Sequence, residues 1–269
     1  MSNTFDIKRF WNYLKYDLVS ARNDSGLTLA ILGAMPVFFY GIFEAFSLIF
    51  SGHVTNFGFA GKVGAYVLAI GICLIFFPAK HYGPLTDKRH GSNWLMLPAS
   101  RLEKWLSVLL VTCVAVPLFL FAELAATDGL LSLIFNGTYG ATALKDIFSG
   151  MDSVWSELST EAGSIALSWP YGLYLSWCEN ILFFTLGALC FEKGKVGKTF
   201  LAAFLLGMLV TMLTTLTLKI FGLPTELDLS DVTEEGFLRG INIAIYAIYL
   251  VYFAVVDVLI YLRIKTLKH

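Results

Sequence analysis

Apolar residues fall into six runs long enough to cross a bilayer as helices, at 27–50, 57–77, 105–124, 165–190, 199–218 and 241–262. A hydrocarbon core about 30 Å thick needs roughly 20 mostly apolar helical residues, and each run meets that length. The polar residues between the runs come in short blocks, so the pattern predicts one all-α transmembrane domain over 1–269. The first run is too long for a leader peptide, begins too far along the chain, and is followed by no small-residue cleavage site. It reads as a span.

Two further segments show helical periodicity outside these runs. Ile7, Phe10, Trp11, Leu14 and Leu18 recur on one face, with Lys8, Asn12 and Lys15 off it and Arg9 near its border. This predicts an interfacial amphipathic helix over 5–22, lying on the membrane; a helix packed on a partner protein would carry the same pattern. In the long outer segment 125–164, Leu144, Ile147, Phe148, Met151, Val154, Trp155 and Leu158 keep helical spacing. An outer amphipathic helix is expected over 143–158. The loop 79–104 is punctuated by Gly83-Pro84 and Gly91-Ser92, and ends in a capping box, Ser100 with Glu103, that opens the third span. Within it, Trp94 to Leu97 form a short apolar patch that either dips into the interface or meets a partner.

Composition agrees with the pattern. The chain is 57% apolar and 14% charged, with mean hydropathy +0.71, whereas soluble domains run near ~25% charged. A disordered chain and a disulfide-stapled module are excluded, and a net charge of −1 leaves no footprint for nucleic acid. Of the 19 lysines and arginines, 15 fall in the N-terminus, the 79–104 loop, the 191–198 loop and the C-terminus. By the positive-inside rule both termini are cytoplasmic. The other four are Lys62, Lys145, Lys219 and Arg239.

Candidate chemistry is sparse. Cys73, Cys113, Cys178 and Cys190 lie in spans or at their ends and read as packing residues. The histidines are scattered. No catalytic group, metal cluster or cofactor motif is present, so no enzyme activity and no cofactor are expected. Gly194-Lys195-Val196-Gly197-Lys198-Thr199 imitates the end of a phosphate-binding loop, but Glu192 stands where the first glycine is required and no strand can precede it.

Acids at bilayer depth carry more information, because a charge there costs about 2.5–3.5 kcal/mol on insertion scales. They are Glu44, Glu123, Glu179 and Asp257. Lys62 lies at a depth like that of Glu44, so the two are expected to pair, or else both snorkel to the outer interface. Glu179 shares one face of its span with Gly172, Ser176, Asn180 and Gly187. That face either lines a translocation path or binds a proton, or Glu179 is a buried structural acid held by Asn180 or a tyrosine. Asn242, Tyr246, Tyr249, Phe253 and Asp257 make a similar stripe on the last span.

Two blocks carry a family resemblance. Asn12-Tyr13-Leu14-Lys15-Tyr16-Asp17-Leu18 resembles the start of permease subunits of type-two ABC exporters. Leu95 to Lys104 resembles a block of permease-like proteins of Bacteroidetes. The layout is also similar to theirs. The resemblance implies a bacterial inner-membrane permease whose loop between spans two and three touches a separate ABC ATPase. Asp87, Lys88, Arg89, Trp94, Arg101 and Glu103 would then be contact residues, and a second permease chain, identical or different, would complete the pathway. The long outer loop between spans three and four departs from the family, which elaborates the region between spans five and six. A mostly apolar lumen would suit a lipid or amphipathic substrate. Two other readings remain open at this stage: a proton-coupled secondary transporter using Glu179, and a non-transporting membrane scaffold or regulatory subunit.

Overall fold

A computed structural model describes residues 5–53, 56–87, 91, 94, 96–146, 149, 169–220 and 235–266, with side chains outside 169–173, 210, 213–215, 217–220 and 235–249. Among the described residues all regular structure is helical. The helices are α1 (Ile7–Gly33), α2 (Met35–Ser51), α3 (Phe59–His81), α4 (Arg101–Ile134), α5 (Trp169–Cys190), α6 (Lys195–Ile220) and α7 (Glu235–Thr266). Three stretches, Ile7–Ser51, Phe59–Thr86 and Arg101–Ile134, are long and apolar enough to cross a membrane, and Tyr174–Cys190 is a shorter apolar helix.

Local chemistry sets the helix ends. Asp6 caps α1 by accepting from the backbone N–H of Lys8 and Arg9. Gly52, at φ +68°, closes α2 in the left-handed conformation that glycine adopts without a Cβ penalty. Ser100 and Glu103 form the expected capping box: the Glu103 N–H donates to Ser100 Oγ and the Ser100 N–H to Glu103 Oε2. A 3-10 turn, Gly83–Thr86, follows α3. The outer segment enters a helical turn at Ala143, where the amphipathic helix was expected to begin; most of 143–158 lies outside the described residues.

The segment 5–22 is not a separate helix. It continues without a break to Gly33, because no proline or left-handed glycine stands between. Its buried residues Phe10, Leu14, Asp17, Ala21, Ser25, Leu29 and Leu32 form one stripe, and α1 packs on α3 and α4. The apolar face read from the sequence is divided: Phe10 and Leu14 turn inward while Ile7, Trp11 and Leu18 stay exposed.

Inside α4, residues Val111–Ala115 widen into a π-helical turn just before Pro117. Proline has no N–H for the carbonyl of Cys113, and the Val116 N–H bonds Val111 O, which leaves Thr112 O over as well. Helix α5 takes both: Tyr174 Oη donates to Cys113 O at 2.8 Å and Trp177 Nε1 to Thr112 O at 3.2 Å. The interior is then filled by Val108, Val111, Leu120 and Leu124 of α4, Ile181, Leu182 and Leu189 of α5, and Ala65 and Ala69 of α3.

Helix α5 meets α3, α6 and α7. It runs close to α6 at Gly187, where a Cβ would overlap the Thr199 side chain. Gly187→Ala is therefore expected to destabilise the protein by about 1–3 kcal/mol through overpacking. Adding Thr199→Ala should recover part of the loss, as read from thermal unfolding in detergent.

Candidate functional site

Polar side chains gather in three places. The first is the end of the bundle that carries Arg9, Lys80, Lys104 and Lys195, called here the basic end. Glu103 is fully buried there. Arg9 grips it as a fork, Nη2 to Oε1 at 2.6 Å and Nε to Oε2 at 2.8 Å, and the N–H groups of Asp6 and Ser100 add two further donors. Both carboxylate oxygens are thereby engaged by charge-assisted or backbone hydrogen bonds. Next to it, Trp94 Nε1 donates to Tyr13 Oη at 2.9 Å. Lys104 Nζ donates to Trp94 O at 2.8 Å and sits 4.5 Å from the indole centroid.

One layer inward, buried Asp17 accepts from Ser107 Oγ at 2.6 Å and pairs with His81 Nε2 at 3.2 Å. His81 Nδ1 lies 3.1 Å from Asp24. Both ring nitrogens face carboxylate oxygens, and only the imidazolium can donate to both. Lys195, the first residue of α6, donates to Gly83 O and stands 3.7 Å from Asp87. The loop between α3 and α4 is thus tied to α1, α4 and α6.

Two members of the contact set expected from resemblance turn inward: Trp94 is 8% exposed and Glu103 fully buried. Both make joints inside the chain, Trp94 with Tyr13 and Lys104 and Glu103 with Arg9. Asp87 and Arg101 are exposed. Lys88 and Arg89 lie outside the described residues.

The second cluster lies at the opposite end. Asp128, fully buried, accepts from Tyr139 Oη, from Tyr66 Oη at 3.3 Å and from the Leu144 N–H at 3.4 Å. Lys62 donates to Ala141 O at 2.7 Å and to Asp146 at 3.1 Å, with its ammonium over the Tyr139 ring. The expected Glu44–Lys62 pair does not form. Lys62 faces the turn ahead of Ala143, and Glu44 accepts from Tyr40 one helical turn away on its own helix. Asp128 escaped sequence reading because it follows the expected end of the third span. The only signal was the apolar run Leu130, Leu131, Leu133 and Ile134 beyond it, which carries α4 onward.

The third place is the middle of α5. Ser176 and Asn180 are exposed there, and Glu179 is half-buried beside Tyr252 of α7. Asn180 Nδ2 donates to Ser176 O at 2.8 Å, so its amide does not hold Glu179. Asp257 goes elsewhere, accepting from Trp105 Nε1 at 3.0 Å. The Tyr246 and Tyr249 side chains lie outside the described residues. Glu123, on α4, packs against Gly33, and its Oε2 is buried without a hydrogen-bond partner.

No family model matches the chain, and neither do curated proteins or solved structures.

Removing the Asp128 carboxylate strands three donors in the interior. Asp128→Ala is expected to cost about 1–3 kcal/mol in thermal unfolding. Glu44→Gln is expected to cost less, because Tyr40 also contacts Thr138.

Proposed function

We propose that this chain is the permease subunit of an ATP-driven ABC exporter in a bacterial plasma membrane, without an ATPase site of its own. In this reading α1 with α2 crosses the bilayer once, α3 to α7 cross it five times more, and both termini face the cytoplasm. The first turns of α1 stand at the inner interface. The substrate is lipid-like or amphipathic, matching a lumen with few charges.

The observation that carries the reading is the wiring of the loop between α3 and α4. A loop that receives force from an ATPase must pass it to the spans, and a free connector cannot. Here the loop is joined to α1 through Trp94–Tyr13, to α4 through Lys104–Trp94, and to the start of α6 through Lys195–Gly83. Arg9–Glu103 locks α1 to the start of α4. Asp87 and Arg101 remain exposed and available to a partner.

The test is co-expression with an ABC ATPase encoded beside the gene. Co-purification and altered ATPase turnover in proteoliposomes are expected. Arg101→Glu should weaken the complex about tenfold by reversing a surface charge, with thermal stability unchanged. Trp94→Ala should instead uncouple turnover from transport while sparing the docking surface. If the two proteins neither bind nor alter one another's activity, the reading fails.

Glu179, on the open face of α5 beside Tyr252, favours a second reading as a proton-coupled transporter. Uptake or efflux driven by a pH gradient and abolished by Glu179→Gln would support it; insensitivity to that substitution would remove it.

A further inference from the structure

We propose that Glu123 is a proton-binding site inside the membrane, set against the break between α1 and α2: its carboxyl is neutral while α4 is packed on that break, and ionising it drives α4 away. The proposal needs neither an ATPase nor Glu179.

The break comes from the chain itself. Ala34, at φ −84° and ψ 0°, leaves the helical path, and Pro36 follows within the first turn of α2. The Val37 N–H turns back to Ala34 O at 3.0 Å instead of reaching Gly33 O. Pro36 has no N–H for Leu32 O, which is left with a share of the Ala34 N–H. The junction is therefore short of donors. Helix α4 supplies one: Gly33 O accepts from Thr127 Oγ1 at 2.7 Å.

Glu123 stands one turn before Thr127 and meets the same glycine. A Cβ on Gly33 would lie 2.6 Å from Glu123 Cβ and 2.7 Å from Oε2, so only glycine admits the carboxyl this close. Among the described residues, buried Oε2 has no hydrogen-bond partner, while the side chain as a whole is half-buried. The carboxyl thus sits at the edge of the helix contact, where a proton can still enter and leave.

Among the described residues no cation answers it. From Leu27 to Gly33 on α1 and from Met35 to Phe43 on α2 no residue is charged. Tyr40, the titratable side chain in those stretches, is engaged with Glu44 and Thr138. On α4 itself, Asp128 is held by Tyr66 and Tyr139. Helices α5 and α7 bring Tyr174, Cys178 and Asp257 to Cys113 and Trp105, further back along α4.

A carboxylate in this place would have neither water nor counter-ion, and a charge at bilayer depth is costly. The neutral acid escapes that cost. Its proton also suits the junction, because it turns one more acceptor into a donor beside carbonyls that lack one. Deprotonation reverses both effects, and the charge is relieved only when α4 parts from Gly33 and lets water in. Proton binding at Glu123 and closure of the break against α4 are thereby one equilibrium.

The test uses the full-length chain in lipid nanodiscs. At neutral pH, the infrared difference spectrum of the native chain minus Glu123→Gln is expected to show a carboxylic-acid C=O band that shifts in heavy water. Glutamine copies the shape and the donor of the neutral acid. Glu123→Gln should therefore melt within about 2 °C of the native chain at neutral pH, and lose less stability than the native chain when the buffer is made alkaline. A second measurement needs no variant. Dicyclohexylcarbodiimide, a lipid-soluble reagent for protonated carboxyls, should modify Glu123, as located by peptide mass, and do so more slowly as the pH rises. The proposal is overturned if the difference spectrum holds carboxylate bands in place of the acid band, if both chains lose stability equally in alkali, or if the reagent marks Glu179 or Asp257 and spares Glu123. These readouts involve neither transport nor an ATPase, so their failure leaves the exporter reading standing, and the reverse.

Discussion

Backbone and side-chain polar groups that lie in hydrocarbon have no water to turn to, so the chain must satisfy them itself. Most of the described interior follows from that constraint. Pro117 removes a donor from α4 and the π turn leaves a second carbonyl over; Tyr174 and Trp177 answer them from α5. Asp128 is enclosed by two tyrosine hydroxyls and a backbone N–H. Thr112 and Thr185 return their hydroxyls to carbonyls one turn earlier on their own helices. The first two solutions also fix contacts between elements, so there polar satisfaction and packing are one problem; the threonines close theirs within a single helix. Apolar side chains alone would leave the helices free to rotate, because lipid tails compete equally for them.

The basic end obeys a related rule with a different outcome. Lying at the border of the apolar zone, it can hold charge, but only as paired charge. The Arg9 fork on Glu103 is directional in a way that a lysine contact would not be, and it fixes α1 against the entrance of α4. Asp17, Ser107 and His81 repeat the tie one layer inward. Together the two layers join α1, α3 and α4 around the ends of the intervening loop.

The sequence made the helical class and the capped start of α4 legible, because apolar run length and capping chemistry are local. It also showed that Ser176, Glu179 and Asn180 share one face. What it could not supply was direction. Glu44 and Lys62 stand at similar depth, yet depth says nothing of azimuth, and Lys62 faces the turn that carries Ala141 and Asp146. Trp94 and Glu103 have the composition of a docking surface, but composition does not separate a joint inside the protein from one between proteins. The N-terminal helix offered two apolar columns, and only packing decides which of them turns inward. Asp128 was hidden by assuming that a span ends when the minimum crossing length has been reached.

Polar groups at mid-helix depth are met unevenly. Asp257 has Trp105, and buried Asp128 has three donors. Glu123 Oε2 and Ser25 Oγ are buried with no hydrogen-bond partner among the described residues. Where a site is closed, the donors come from another helix or from the turn that follows, so closing it also sets which faces of two elements meet. A polar group left open inside a helix pair does the opposite: it costs stability without fixing the contact.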